Sequence, residues 1–280
     1  MIYSIFDILS RTYIRYAFVV GITMSLAGAL LGVSLVLKKH SMIGDGLSHV
    51  GFGTVAVACA IGIAPLAFAI PLVILSSFLI LWLSNRSKIF GDSAIALFST
   101  LALAIGYAAI EMGNGVNFNV SSYLYGSLLG VTKTEVILSI VVASIVIITY
   151  LLLYNRIFSI TFDETFSKST GMHTNLINVL LSILISLTIV IGMKVMGALL
   201  ITALIIFPTL SARQIFKTYR NVTIFSVISS VACFTIGLLL ACSINNLPIG
   251  SSIVFVNFLY CLICFIIGKI IMTKEIKKKE

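Results

Sequence analysis

Long apolar runs follow one another along almost the whole chain, and each is about 20 residues, the length of a membrane-crossing helix. Hydropathy places nine of these runs, at residues 16–37, 45–63, 65–84, 93–112, 135–154, 174–193, 195–212, 221–243 and 251–272. A membrane β-strand is about half as long and alternates polar with apolar residues. We therefore predict an all-α, polytopic helical membrane protein with nine transmembrane helices, or eight if one pair forms a broken or re-entrant segment.

The composition excludes a soluble domain. Charged residues make up 10% of the chain and hydrophobic residues 60%, whereas soluble domains contain about 25% charged residues. The connections between the predicted spans are also too short to hold a soluble domain. We expect residues 1–280 to form a single transmembrane domain with lipid as its solvent.

Lysine and arginine residues predict the orientation of the chain. Thirteen of the 18 lie in loops 38–44, 85–92, 155–173 and 213–220 and in the tail 273–280. With nine spans these segments share one side, and cytoplasmic loops of membrane proteins are rich in basic residues. We predict a basic cytoplasmic tail at 273–280, an external N-terminus, and an amphipathic interfacial segment at 1–14. Topology accounts for the net charge of +9, so no nucleic-acid partner is expected.

A carboxylate and an imidazole stand four residues apart at Asp45 and His49, within the stretch SMIGDGLSH at 41–49. Four residues are about one helical turn, so both side chains can reach one ion. Ionisable groups in a membrane segment are costly and mark functional sites. The oxygen and nitrogen pair suits Zn²⁺, Mn²⁺ or Fe²⁺ without selecting among them. The alternative is that Asp45 caps a helix and His49 hydrogen-bonds across a helix interface.

Two protein ligands are too few for tight capture of a metal. A homodimer with the pair on its two-fold axis would supply four ligands. Alternatively, a transit site that must release its ion needs no more than the pair. The basic pair Lys38–Lys39 marks the cytoplasmic boundary, which places Asp45 near the inner end of its helix. A site nearer the midplane requires residues 40–46 to fold as a re-entrant turn, which Gly44 and Gly46 permit.

The connection 155–173 contains the signals of a short helix, namely a candidate cap, two first-turn acids and a stop: Thr161, Asp163, Glu164 and Gly171. Phe162 and Phe166 would form a small exposed apolar face on that cytoplasmic helix. Such a face either docks another protein or lies on the membrane surface.

Other residues carry weaker predictions. Glu111, at the external end of the fourth span, is a candidate entrance acid or an interfacial anchor. In the first span, Gly21, Ser25, Gly28 and Gly32 recur at intervals of three or four residues and predict close helix packing. The chain contains no P-loop, nucleophile elbow or H-E-x-x-H sequence, so we expect neither ATP binding nor enzymatic chemistry within it.

Four motifs, in the same order, resemble those of the permease subunits of the bacterial manganese/zinc/iron ABC importers. They are VLKKHSMIGDGLSHVG at 36–51, GDSAI at 91–95, FDETF at 162–166 and MGALLITALIIFP at 196–208. The resemblance spans most of the chain. One departure is that the family often carries an acid just before the proline of the last external loop, where this chain has Asn245, Asn246 and Leu247 before Pro248.

The resemblance implies a permease of the type II ABC importer kind in a bacterial cell membrane. It implies a homodimer of permease chains, two cytoplasmic ATP-binding subunits and an extracellular metal-binding protein that delivers the ion. The metal would meet Asp45 and His49, and Phe162, Asp163, Glu164 and Phe166 would couple the chain to the ATPase. The metal ion (Zn, Mn or Fe) would be cargo, with no permanently bound cofactor and no ATP hydrolysis on this chain.

Three other functions fit parts of the sequence. A secondary transporter or an ATP-independent metal channel would need no coupling segment. An ABC permease for a metal chelate would share the fold but would not need an Asp/His pair. A membrane scaffold without transport activity would be insensitive to removal of Asp45 and His49.

Overall fold

The computed structural model describes residues 11–86, 91–113, 123, 126, 128–244 and 247–277. Every regular element in these ranges is helical. The α-helices are α1 (Thr12–Leu37), α2 (Ile43–Ala60), α3 (Pro65–Arg86), α4 (Gly91–Met112), α5 (Lys133–Leu152), α6 (Tyr154–Phe162), α7 (Glu164–Ser169), α8 (Thr174–Met196), α9 (Ala198–Ile215), α10 (Tyr219–Ser243) and α11 (Ile249–Lys277). A 3-10 turn at Leu128–Gly130 precedes α5.

Nine helices of the described ranges are long and apolar enough to cross a membrane, and only α6 and α7 are not. This confirms the all-α, nine-span prediction, although some boundaries differ. Residues 12–14, assigned to the interfacial segment, form the start of α1, while residues 1–10 lie outside the described part of the chain. At the other terminus, α11 extends through 273–277, so the basic tail begins as helix, and residues 278–280 are not described.

The break between the sixth and seventh spans also lies later than predicted. Hydropathy places it at Lys194, but α8 continues to Met196 and the chain turns at Gly197. Gly197 has φ of +91°, in the left-handed region that favours glycine. Lys194 therefore lies in the last turn of a helix, because backbone geometry rather than charge sets the position of this turn.

Helix α1 is the most buried span and packs against α5, α8, α9 and α10. Its small residues face these neighbours, as predicted. A Cβ atom at Gly32 would overlap the backbone carbonyl of Ile205 in α9, and one at Gly21 would overlap the ring of Phe234 in α10. Close backbone approach through small residues is a main source of helix association in lipid.

Helices α2 and α4 run parallel in close contact. Gly46 lies against Ile95, and seven residues further along both helices Gly53 lies against Ala102. A Cβ atom at Gly53 would overlap the carbonyl oxygen of Ala102, so this approach requires glycine. Both helices begin at the end of the bundle that carries turn 38–42, α6 and α7, which is called the basic end below.

Candidate functional site

The turn between α1 and α2 fixes where the Asp45 helix begins. The His40 N–H donates to the carbonyl of Leu35 (2.9 Å) and the Lys39 N–H donates to that of Val36 (3.1 Å), a Schellman pattern that ends α1. Lys39 takes the left-handed position of this pattern with φ of +61°, where glycine is usual. The Ile43 N–H then donates to the carbonyl of His40 (3.1 Å), which ties the turn to α2.

The start of α2 is recessed within the bundle. Ile43 and Leu47 line a cavity together with Leu181 of α8. Leu181 is seven residues after Thr174, the first residue of α8, and therefore about 10 Å along that helix. Residues 43–46 are helical, so the re-entrant turn at 40–46 that a site nearer the midplane would require is not found. The inward position of the pair comes from a short, recessed turn between two ordinary helices.

Asp45 lies in the first turn of α2, and His49 lies one turn further on. The Nε2 atom of His49 is 3.6 Å from Oδ2 of Asp45, which is longer than a hydrogen bond. Two atoms that each bind a tetrahedral ion at about 2.1 Å lie about 3.4 Å apart, so the observed separation is close to a chelating geometry. The separation of the two atoms is therefore compatible with both binding one ion.

Neither alternative role of the pair is found among the described residues. The N-cap of α2 is Met42, and no side-chain hydrogen bond caps this helix, so Asp45 is not its cap. The Nδ1 atom of His49 is buried and has no hydrogen-bond partner in the described part of the chain. In the single chain the Asp45 side chain is 44% exposed and that of His49 is 30% exposed. Both groups thus retain coordination capacity.

No third ligand joins the pair within the described ranges, where no cluster of three or more His, Cys, Asp or Glu side chains occurs. Glu111 lies in the last turn of α4, exposed, at the end opposite the basic end. The parallel contact of α2 with α4 brings Asp45 close to the level of Ala94. The 17 residues from Ala94 to Glu111 span about 25 Å of helix, so the structure does not bring Glu111 to the pair.

The predicted short helix in this connection is present, but its cap lies two residues later than expected. The Asp163 carboxylate accepts the N–H of Phe166 (2.8 Å) and caps α7, whereas the Thr161 hydroxyl donates to the carbonyl of Ile157 within α6 (2.6 Å). Thr161 as the cap is therefore wrong. Gly171, with φ of +81°, ends the segment in a second Schellman pattern, as predicted.

Two phenyl rings project from the basic end. Phe162 is 62% exposed and Phe166 is 61% exposed. The ring of Phe162 packs against Phe158 and Tyr219, with ring centroids 5.0 and 6.0 Å apart. The position of Phe162 is thus set by α6 and by the first residue of α10, which leaves a defined apolar surface on the outside of the bundle.

Sequence reasoning missed a polar cluster beneath α7, formed by Lys38, Glu164 and Asn178. The Lys38 ammonium donates to Oδ1 of Asn178 (2.8 Å), and the Asn178 amide donates to Oε1 of Glu164 (2.9 Å). Oε2 of Glu164 lies 3.6 Å from the Lys38 ammonium and completes the ring of contacts. Lys38 had been predicted only to mark the membrane boundary, and no local signal pairs it with a residue 140 positions away.

Burial and neighbouring charges shift the pKa values of the basic groups in and beside this cluster. Desolvation lowers the pKa of Lys38, and Glu164 opposes that shift through its charge and its hydrogen bond. The half-buried His40 lies beside the cluster, where burial and then the Lys38 charge lower its pKa against the opposing carboxylates of Asp92 and Glu164. Carboxylate and amide contacts thus hold Lys38 as a partly buried cation.

A protein-family model described as the ABC 3 transport family matches residues 10–268. A probable metal transport system membrane protein of Thermotoga maritima is 31% identical to the chain, covering 90% of it and 89% of that relative. The high-affinity zinc uptake system membrane protein ZnuB of Haemophilus influenzae is 27% identical, covering 89% and 95% of the two chains. The manganese import system permease protein ScaB of Streptococcus gordonii is 27% identical, covering 91% of each.

The fold is similar to that of a solved structure, PsaBC from Streptococcus pneumoniae in complex with a Fab. The TM-score is 0.82 at 25% sequence identity, and the match covers 93% of this chain and 94% of that one. The similarity therefore extends over most of the chain.

Proposed function

Because this chain belongs to the ABC 3 transport family, we propose that it is the membrane-spanning permease subunit of an ATP-driven importer of divalent transition metal ions. Zinc and manganese are the favoured cargo, since relatives named for uptake of each metal match most of the chain, and Fe²⁺ is the third candidate. The external N-terminus and cytoplasmic C-terminus predicted from the basic loops complete this proposal.

The Asp45–His49 pair carries the proposal. Its atoms stand 3.6 Å apart, and both side chains are partly exposed at the surface of a membrane helix. Partly exposed ionisable groups on a membrane-spanning helix need a water-lined path or a second protein chain to face. A homodimer that brings two pairs together provides both, and it raises the ligand number from two to four.

The chemistry required of this chain is ligand exchange. Asp45 contributes an anionic oxygen and His49 a neutral imidazole nitrogen, so each replaces a water of hydration as the ion passes. Tight structural metal sites use about four protein ligands. One chain supplies only two ligands, so the site is complete only while the two chains hold their pairs together. This dependence on the second chain favours transient binding and release over permanent capture.

ATP hydrolysis is assigned to a separate subunit, which would bind at the basic end. The exposed rings of Phe162 and Phe166 supply an apolar contact, and the Asp163 cap fixes the helix that presents Phe166. Replacing both rings with serine should abolish retention of an ATPase subunit in mild detergent. Retention of the ATPase by that variant would contradict the assignment.

Glu111 stays the candidate entrance acid. Its exposed carboxylate lies at the end opposite the basic end, where a delivery protein outside the cell would bind. Glu111→Gln should raise the metal concentration that gives half-maximal uptake while leaving the maximal rate close to that of the native chain. An unchanged half-maximal concentration would identify Glu111 as an interfacial anchor.

The decisive experiment is uptake of Zn²⁺ and Mn²⁺, measured separately, by cells or proteoliposomes that contain the assembled transporter. Asp45→Ala combined with His49→Ala should reduce uptake of the transported ion to background. His173→Ala, which removes an exposed imidazole from the turn before α8, is the matched control and should preserve uptake. Unchanged uptake by the double variant would refute the site, and uptake that survives ATP depletion would favour a channel or secondary transporter.

A further inference from the structure

The Lys38–Glu164–Asn178 cluster joins three separate segments of the basic end. Lys38 begins the turn between α1 and α2, Glu164 is the first residue of α7, and Asn178 lies in the second turn of α8. Each side chain contacts the other two, at 2.8, 2.9 and 3.6 Å. The cluster is therefore the polar connection between the segment that carries Phe166 and the turn that leads to Asp45.

Helix α7 depends on such contacts for its position. It has six residues, and isolated helices shorter than about 12 residues are marginal in water. Its outer side carries the exposed Phe166, while its inner side carries Glu164 and the buried Ser167, whose hydroxyl contacts Ser159 of α6 (2.8 Å). Glu164 and Ser167 thus connect the helix that presents Phe166 to the Lys38–Asn178 contact and to α6.

On the other side of the cluster, Lys38 is rigidly connected to the Asp45 helix. The Schellman hydrogen bonds and the left-handed Lys39 fix the turn, and the bonds of the Ile43 and Gly46 N–H groups to His40 and Met42 continue it into α2. Asp45 follows Ile43 by two residues. The backbone of Lys38 is therefore joined to the first turn of α2 by a short hydrogen-bonded turn.

The bundle leaves room for this movement. A cavity of about 90 Å³ lies beside the cluster, lined by Lys38, Glu164 and Asn178 on its polar side and by Leu47 and Leu181 among its apolar residues. Because the start of α2 is incompletely packed against α8 there, α2 can shift without first breaking a filled core.

We propose that the Lys38–Glu164–Asn178 cluster is the positioning device that passes movement of α7 to the Asp45–His49 helix. This inference rests on the proposed function, since it assumes an ATPase that moves α7. The three residues act through Asp45 and His49 and do not bind the metal. Loss of the cluster should separate ATP hydrolysis from metal transfer while leaving both partners able to bind.

The test measures Zn²⁺ and Mn²⁺ uptake per ATP hydrolysed in proteoliposomes that contain the permease, its ATPase subunits and its delivery protein. Lys38→Gln should lower this ratio by about 5-fold or more, the lower range of allosteric coupling, with ATPase retention unchanged. Glu164→Gln should lower the ratio to the same extent. The ratio of uptake to ATP hydrolysis in the double variant should fall no further than in either single variant, because each single substitution already removes the same connection.

The charge-swap variant Lys38→Glu/Glu164→Lys should recover at least half of the lost ratio, since the Asn178 amide can flip to serve the exchanged groups. Lys168→Gln is the control, because it removes a cation of α7 that is not part of the cluster. Its uptake per ATP hydrolysed should match that of the native chain. Size-exclusion elution of each variant reports correct assembly.

An unchanged uptake ratio in both single variants would overturn the proposal. So would a charge swap that performs no better than the single variants. Absence of ATP-dependent uptake by the native chain would instead refute the proposed function, so the two failures are distinguishable.

Discussion

The Nζ atom of Lys194 lies 3.0 Å from Oε1 of Glu135, and this ion pair joins the last turn of α8 to the first turn of α5. Glu135 also accepts the N–H of Thr132 (2.9 Å), which completes a capping box at the start of α5. The Glu135 carboxylate thus both caps the start of α5 and joins α5 to α8, at the end of the bundle opposite the basic end. The T-K-T-E sequence at 132–135 carries the capping-box signal, but nothing local predicts the partner Lys194.

Variants at this pair should separate its two roles. Lys194→Gln and Glu135→Gln should each cost about 1 kcal/mol or less of stability, because both groups are partly exposed and glutamine preserves the capping box. Glu135→Ala should cost about 1 kcal/mol more, since it also removes the cap. Thermal unfolding in detergent measures these differences. Lys133→Gln is the control on the same helix turn. Equal losses of stability for Glu135→Gln and Glu135→Ala would contradict the role of Glu135 in the capping box.

The N-cap of α7 predicts a contrast between two substitutions of Asp163. Asp163→Ala leaves the Phe166 N–H without its acceptor and should destabilise the cap by about 1 kcal/mol, with weaker ATPase retention as a result. Asp163→Asn keeps an equally good capping oxygen and should retain the ATPase at close to the native level. Co-purification at matched expression distinguishes the two. Equal retention by both variants would show that the cap does not position Phe166.

The contact between α2 and α4 predicts a strict requirement for glycine at position 53. Gly53→Ala places a methyl group on the carbonyl oxygen of Ala102 and should destabilise the protein by about 1–3 kcal/mol through overpacking. Gly44→Ala is the matched control, because its Cβ atom would stand at an ordinary distance of 4.0 Å from Ile205. Thermal unfolding should show a lower Tm for the first variant only. Equal Tm values would mean that α2 and α4 can separate at no cost.

The environment of His40 predicts a pH-dependent loss of stability. Burial, followed by the Lys38 charge, lowers its pKa in the folded protein, so the unfolded state binds more protons just below the ordinary histidine pKa of about 6.5. Stability should therefore rise with pH through this window and fall on acidification. As the pH falls from about 8 to about 5, the Tm of the native chain should decrease more than that of the His40→Gln variant. His173→Gln should follow the native chain, and parallel curves for His40→Gln would contradict the prediction.

The helical architecture was predictable because lipid leaves few choices. Every apolar run long enough to span the membrane must satisfy its own backbone hydrogen bonds, and a helix does so locally. The nine spans therefore follow from hydropathy alone. Errors occur where the signal is not hydropathy, as at Gly197, where the left-handed backbone of one residue places the turn three residues beyond Lys194.

The candidate site was predictable only in its local part. Asp45 and His49 are separated by one helical turn, so their proximity follows from sequence spacing. Their exposure, the 3.6 Å separation and the recessed position of α2 depend on how α2 packs against α4, α8 and α9. The re-entrant turn considered for residues 40–46 is not found, because residues 43–46 already belong to α2. Hydropathy gives no information on how far a turn lies within the bundle.

The sequence by itself determined the membrane class, the positions of the apolar spans, the Asp45–His49 spacing and the apolar face of α7, because each depends on residues close together in the chain. The tertiary structure decided the Lys38–Glu164–Asn178 cluster and the Glu135–Lys194 ion pair, whose members are far apart in sequence. A buried charge must find a partner wherever the packed helices bring one within reach. Which partner that is depends on helix packing rather than on any local pattern.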